Sequence, residues 1–287
     1  MKKFLAILFA VLMLTSVLAA CGTSSENGSG SSKKAEVVEI DLTEEQYAFG
    51  VDKNQPELLE KTNAFIKEIK SDGTLDAICD KYFSDGTPEP VESATFDASK
   101  DQLVVATNAA FEPFEYMKGD KYLGIDMEIA KLLADYLGME LVINNMDFDS
   151  VCLSVGQHKC DIAMAGLTVK PDREEHVTFT ESYYEASQRI IVKSGDTTFA
   201  ECKTAADVEA VLNTLNESTK IGFQNGTTGQ FYVEGDPDWG FDGYKVTGKG
   251  YKNGSLAVQD MINGNIDFVV IDKEPANCIV KAINKFA

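Results

Sequence analysis

Positive charge is scarce in this chain. Lys and Arg number 26 against 46 Asp and Glu, giving a formal charge of −20 over 287 residues. Such a balance argues against a nucleic-acid partner, which needs a basic footprint to neutralise phosphates. Beyond that it bears mainly on solubility. Histidine is limited to 2 residues, His158 and His176. Each stands beside a turn with no matched acid or nucleophile nearby, so both read as surface residues. Cysteine is equally uninformative as a framework. After Cys21 come Cys79, Cys152, Cys160, Cys202 and Cys278, an odd set without Cys-x-x-Cys spacing. That excludes a regular disulfide scaffold or a zinc site. Cys79, Cys152 and Cys160 fall where the pattern asks for apolar side chains and read as buried thiols; a Cys202–Cys278 bridge stays open. Beyond the amino-terminal segment no apolar run is long enough to span a membrane.

What is present begins with that segment. Lys2 and Lys3 precede an unbroken apolar run from Phe4 to Leu14, followed by small residues, the pattern of a secretory signal. Leu18-Ala19-Ala20-Cys21 resembles a bacterial lipobox, which implies cleavage before Cys21 and lipidation of its thiol. The alternative is a plain signal peptide with an incidental cysteine. Residues 22–35 are rich in Gly and Ser and form a tether that cannot build a core. The expectation is an exported protein held by a lipid at the outer face of the cytoplasmic membrane.

Apolar content of 44% and charged content of 25% fit a globular α/β protein. The chain is long enough for two lobes with separate cores. Residues 36–41 and 47–51 read as strands. Leu58, Leu59, Thr62, Phe65, Ile66 and Ile69 recur at helical spacing behind Pro56, a first-turn residue. A shorter helix through Leu75, Ile78, Cys79 and Tyr82 follows Gly73, and 84–100 reads as a connector. From Gln102 strands and helices alternate: strands at 103–107, 141–144 and 161–165, helices at 125–137 and 149–155. That β-α-β-α-β rhythm implies a mainly parallel sheet. A strand at 189–193 leads into a second such region, with helices at 205–215, 255–262 and 274–283 and strands at 221–224, 244–247 and 266–271. A ligand is expected between the two regions, at the carboxyl ends of the strands.

Four stretches carry candidate chemistry. In residues 165–175 (Ala-Gly-Leu-Thr-Val-Lys-Pro-Asp-Arg-Glu-Glu), Gly166 leaves its carbonyl open to close approach. Thr168 adds a hydroxyl and an N–H, and Arg173 a planar fork of donors suited to a carboxylate. A strand, a turn and a surface Arg is the plainer reading of the same residues. Residues 106–116 follow the first strand of the β-α-β unit and put Asn108 and Phe111 at the cleft edge. Phe148 holds the equivalent position after a later strand, and the two rings could clamp a flat or aliphatic group. Residues 223–230 (Phe-Gln-Asn-Gly-Thr-Thr-Gly-Gln) offer an anion cradle of backbone N–H groups, better suited to carboxylate than to phosphate because no Gly-Lys-Ser/Thr is present. Asp272 closes the strand at 266–271, where it can meet an ammonium group or cap the next helix.

Taken in this order, the four stretches resemble the type II solute-binding proteins of amino-acid ABC importers (solute-binding protein family 3). The resemblance implies a two-lobed periplasmic-binding-protein-like type II fold with a hinge, no cofactor, no metal and no catalysis. It implies that Gly166, Thr168 and Asp272 hold a free amino acid's α-ammonium group. Arg173, with N–H groups near Thr168 and Thr228, would hold the α-carboxylate. Phe111 and Phe148 would enclose the side chain, with Asn108 and Gln224 at its tip and Ala165 in the adjoining wall. The implied partners are the transmembrane subunits of an ABC permease, and the binder is expected to be monomeric. Since Asn108 and Gln224 are neutral, the ligand is expected to be a neutral polar amino acid such as glutamine. Cystine and basic amino acids stay open because Glu112 or Glu115 can reach the pocket. The alternatives are a dehydratase-like enzyme on the same fold and a ligand sensor.

The order of pieces departs from the family. Residues 43–83 resemble its C-terminal piece, yet here they precede the N-terminal piece at 101–188, with 84–100 joining them. This is read as a circular permutation, with lobe 1 spanning 43–188 and lobe 2 formed by 189–287 plus 36–42.

Overall fold

The computed structural model describes residues 34–84 and 86–285. The signal, the lipobox with Cys21, and the tether up to residue 33 lie outside the described residues. Ala35, expected in the tether, opens the first strand.

The elements run β1 (Ala35–Val38), β2 (Glu45–Tyr47), β3 (Gly50–Asp52), α1 (Pro56–Ser71), α2 (Thr74–Phe83), β4 (Gln102–Thr107), β5 (Ala110–Phe111), β6 (Glu115–Lys118), β7 (Lys121–Leu123), α3 (Ile125–Leu137), β8 (Glu140–Asn145) and α4 (Val151–Gly156). They continue with β9 (Ile162–Ala163), α5 (Pro171–Glu174), β10 (Val177–Phe179), β11 (Tyr184–Ala186), β12 (Gln188–Lys193), α6 (Ala205–Leu212), β13 (Lys220–Gln224), α7 (Thr228–Glu234), β14 (Thr247–Tyr251), α8 (Gly254–Ile262), β15 (Phe268–Asp272) and α9 (Lys273–Lys285).

Two five-stranded sheets organise these elements, in the orders β10-β3-β9-β4-β8 and β1-β12-β15-β13-β14. Four strands of each point one way and one is reversed: β3 is antiparallel to both its neighbours, and so is β12. Each reversed strand follows a crossing of the chain from one sheet to the other. The crossings themselves pair as a two-stranded ribbon, β2 with β11, in the register Tyr184↔Tyr47 and Ala186↔Glu45.

Alternation along the strands sorts side chains to opposite faces. In β4, Leu103 and Val105 join the core under α1 to α3, whereas Val104 and Ala106 join Val151 and Val155 of α4. In β12 and β15, Ile190, Val192, Phe268 and Val270 pack with Val208, Leu212 and Tyr232. Ile191, Val269 and Ile271 face Ala257, Val258 and Met261 of α8. Leu58, Thr62, Phe65, Ile66 and Ile69 are the buried face of α1, with Pro56 in its first turn.

Several expected boundaries move. The strand expected at 244–247 is found at 247–251 instead. Tyr244 serves α7 instead: its backbone N–H donates to the Val233 carbonyl, and its ring packs on Tyr232 of that helix. The expected strand at 161–165 is reduced to β9, although Asp161 and Met164 still donate backbone bonds to Val104 and Ala106. The strand expected at 47–51 is divided into β2 and β3, and α6 stops at Leu212. All five described cysteines are free, so Cys202 and Cys278 form no bridge. Among the described residues no helix is long and apolar enough to cross a membrane.

Candidate functional site

Both sheets aim the carboxyl ends of their parallel strands at one space. The turn after β4 brings Phe111 there, the turn after β8 brings Phe148, and the turn after β9 brings Gly166 and Thr168. From the second sheet, β13 contributes Gln224 with Thr227 and Thr228 beyond it, and β15 ends on Asp272. With Arg173 of α5 these residues line a cavity of about 10 Å³. A single water needs roughly 10–15 Å³, so the walls are nearly in contact.

The contact is polar and spans the two halves. Arg173 is buried, and its guanidinium donates to the Thr168 carbonyl at 2.7 Å and, across the gap, to the Gly226 carbonyl at 3.0 Å. Its guanidinium carbon lies 5.2 Å from the centre of the Phe148 ring. The Gln224 amide donates to Asn108 Oδ1 at 3.2 Å, while Asn108 donates to the Met146 carbonyl at 2.6 Å. The Thr228 and Thr168 hydroxyls are 3.4 Å apart. Lys170 is 2.6 Å from the Asp236 carboxylate of the opposite half. Burial raises the Asp236 carboxyl, but the Lys170 ammonium together with the backbone N–H groups of Asp238 and Trp239 holds it below its ordinary range.

Glycine is required at one point of the lining and at one point beside it. Gly166 has φ +52°, and an added Cβ would sit 2.9 Å from the Phe111 ring. Gly226 has φ +72°, and its Cβ would meet Asp149 Oδ1 of the facing half at 2.2 Å.

A belt of buried carboxylates surrounds the Asp272 side. The Tyr47 hydroxyl donates to Asp272 Oδ1 at 2.5 Å. Glu45 receives Thr43, Thr168 and Gln188 at 2.6, 2.8 and 3.0 Å. Asp126 receives the Gly166 N–H at 2.9 Å and the Tyr183 hydroxyl at 2.5 Å. Burial pushes the Asp126 carboxyl up to about 7, against those two donors. Burial also raises Asp272, and the nearby Glu45 adds to the effect.

Glu115 is the extreme case. It is fully buried, and among the described residues neither carboxylate oxygen has a hydrogen-bond partner. Burial, then Asp126 and Asp272, push its carboxyl well above the ordinary range. It stands directly across from Phe111 in the β5–β6 pair, and cross-strand partners share one face. The Gln224 side-chain amide oxygen is likewise buried without a partner among the described residues.

The structure thus gathers Phe111, Phe148, Gly166, Thr168, Arg173, Gln224, Thr228 and Asp272 around one cavity. Asn108 stands behind Gln224 and is not in the lining, and Ala165 is buried in the apolar cluster beneath the turn. Sequence reasoning missed Glu45, Tyr47, Asp126, Tyr183 and Thr227. Glu45 and Tyr47 carried a faint signal, being alternate residues of one short strand. His158 is exposed and hydrogen-bonded to Asp52, and His176 is half-buried, each away from the cavity. Among the described residues no cluster of side chains is suited to a metal ion.

A family model for bacterial extracellular solute-binding proteins, family 3, matches residues 10–85 and 103–274. The arginine-binding extracellular protein ArtP of Bacillus subtilis is 36% identical over 97 residues, 34% of this chain and 38% of that protein. ABC transporter arginine-binding protein 1 of Escherichia coli is 32% identical, over 64% of this chain and 69% of its own length. A solved structure of an ancestral arginine-binding protein bound to arginine aligns with TM-score 0.53 and 32% identity, covering 64% of this chain and 75% of that one. An ancestral amino acid-binding protein, a precursor of cyclohexadienyl dehydratase, aligns with TM-score 0.54 and 28% identity, over 63% and 74% of the two chains.

Proposed function

The chain belongs to the bacterial extracellular solute-binding proteins, family 3, and from that premise we propose that it captures a free amino acid between its two halves and delivers it to the transmembrane subunits of an ABC permease. The named relatives are binding proteins, and the neighbour with an enzymatic descendant is itself an amino acid-binding protein. This weighs against the dehydratase-like alternative.

The cavity is lined by one cation, Arg173, and one carboxylate, Asp272, the pair a zwitterion needs. The ligand's α-carboxylate takes the two Arg173 donors now directed at the Thr168 and Gly226 carbonyls. N–H groups near Thr168 and Thr228 assist. Asp272, the Gly166 carbonyl and the Thr168 hydroxyl hold the α-ammonium, and Phe111 and Phe148 enclose the side chain. About 10 Å³ cannot hold an amino acid, so entry requires the halves to part. Bending at the β2–β11 ribbon, which joins them, is the hinge motion.

The ligand class follows from orphaned acceptors. Asn108 and Gln224 alone suggest a neutral polar side chain. The partnerless Glu115 carboxylate and Gln224 oxygen favour a side chain rich in donors and positively charged, because burying a carboxylate without a partner is costly. Arginine meets that demand best, and relatives named for arginine support it.

The arrangement of the chain is part of the reading. Residues 43–188 form lobe 1, and 189–287 with 36–42 form lobe 2, in a circularly permuted order. In support, β3 lies between β9 and β10, β1 adds to β12, and the N–H groups of Lys34 and Ala35 reach Asn284 Oδ1 at 2.8 and 3.3 Å. The binder acts as a monomer, anchored outside the cytoplasmic membrane through Cys21.

The test is a thermal-shift screen of the chain from residue 22 onward against the common amino acids and cystine. A ligand at about 100 times its Kd adds roughly 2.7 kcal/mol of stability. One strong shift, lost in Arg173→Ala, is expected; cooperative melting with no shift for any amino acid overturns the reading.

A further inference from the structure

Lys170 occupies the wrong place for its chemistry. It is the N-cap residue of α5, with extended φ −149° and ψ 141°, and its side chain makes no capping bond. Residues at that position normally accept a hydrogen bond from the first helical N–H groups, which an ammonium cannot do. Positive charge is also disfavoured at a helix start. Yet Lys170 is only 3% exposed. Its ammonium leaves the α5 turn and enters the opposite half, 2.6 Å from Asp236 and 3.8 Å from the centre of the Phe231 ring. Phe231 belongs to α7, and Asp236 follows it. A second carboxylate, Asp172 of its own turn, is 3.0 Å away and half exposed.

We propose that Lys170 is a latch that positions the closed form and thereby slows release of the bound amino acid. The inference rests on the capture reading above and adds a residue that touches no ligand atom. Lys170 has one partner on its own half and two on the other. When the halves part, Asp172 keeps the ammonium paired in water. When they close, Phe231 and Asp236 receive it in a dehydrated seat, where cation–π and ionic attraction are both stronger. Arg173, three residues on, crosses to Gly226 in the same movement. The latch therefore holds the ligand's carboxylate anchor in register without reading the side chain. Its effect falls on the dissociation rate and is equal for every amino acid that fits.

The chain has a single tryptophan, Trp239, three residues beyond Asp236 in the turn closed by its backbone N–H to the Asp236 carbonyl, so its fluorescence reports from beside the seat. Stopped-flow dissociation of L-arginine and L-glutamine is measured with the full exported chain. Lys170→Met and Asp236→Asn are expected to speed release at least about tenfold for both amino acids, with association changed less than about twofold. The exchanged pair Lys170→Asp with Asp236→Lys is expected to recover part of the loss, which a merely structural lysine would not allow. Small-angle scattering without amino acid supplies the independent readout: Lys170→Met is expected to have the larger radius of gyration. Unchanged release and unchanged radius in a normally melting Lys170→Met protein overturn the latch. Loss confined to one of the two amino acids overturns it as well. An expanded Lys170→Met protein, when the unaltered chain binds no amino acid, leaves the latch standing and sinks the capture reading instead.

Discussion

Tyr47 and Asp272 are 225 residues apart in the chain and share a 2.5 Å hydrogen bond at the floor of the cavity. Tyr47 ends β2, one strand of the crossing ribbon, and Asp272 ends β15 of the second sheet. The bond thus ties the crossing to the residue proposed to meet the ligand's ammonium. Removing it with Tyr47→Phe keeps the ring, which packs edge-on against Phe114 at 5.1 Å. A hydrogen bond to a charged group contributes roughly 1.5–3 kcal/mol, so affinity is expected to fall about tenfold to a hundredfold. Titration calorimetry measures it, and unchanged affinity contradicts the assignment of Asp272.

Acidity of the carboxylate belt makes binding depend on pH. Asp126 is raised to about 7, by burial first, and burial also holds Glu115 well above its ordinary range. A carboxyl whose folded pKa lies above its unfolded value favours folding while protonated. Its contribution is therefore complete below about pH 4 and is lost as pH rises through about 7. The protein alone is expected to melt lower at about pH 8 than at about pH 5, with Asp126→Asn flattening the slope. A cationic ligand favours the ionised belt, so it raises the melting temperature more at the higher pH and expels protons on binding near neutrality. Calorimetry in two buffers of different ionisation enthalpy detects those protons. A binding enthalpy independent of buffer contradicts a cation at Glu115.

Gly226 offers a steric test of closure. A methyl there would lie 2.2 Å from Asp149 Oδ1 and force a side chain into φ +72°. Gly226→Ala is expected to hold the halves apart and to weaken binding at least about tenfold, chiefly through faster release. Small-angle scattering with saturating ligand should show a larger radius than the unaltered chain. An equally compact complex of equal affinity contradicts the closed geometry.

Much of this fold is legible in the sequence where one physical rule dominates. The alternation in Leu103–Val105 and in Phe268–Ile271 marks strands with two buried faces, and the spacing from Leu58 to Ile69 marks a helix. Arg173, Gly166 and Asp272 could be read because special residue types stand at strand ends. Glu45 could not, and Glu115 could be named only as one of two acids near the pocket, since an acidic residue in a short strand looks solvated until its neighbours are known. Their burial is created by β2 pairing with β11 and by the β5–β6–β7 hairpins, contacts that no local pattern encodes. The misplaced strand at 244–247 has the opposite cause. Its apolar residues serve α7, while the true strand, Thr-Gly-Lys-Gly-Tyr, has almost nothing apolar to announce it.

The most direct test of the account is a calorimetric titration of L-arginine and L-glutamine into the unaltered protein and into Glu115→Gln. The account predicts that arginine binds the unaltered chain at least about tenfold more tightly than glutamine, about 1.4 kcal/mol. It predicts that Glu115→Gln erases that preference while leaving glutamine affinity the same or better. Equal affinity for both amino acids in the unaltered chain, or equal loss for both in the variant, would contradict it.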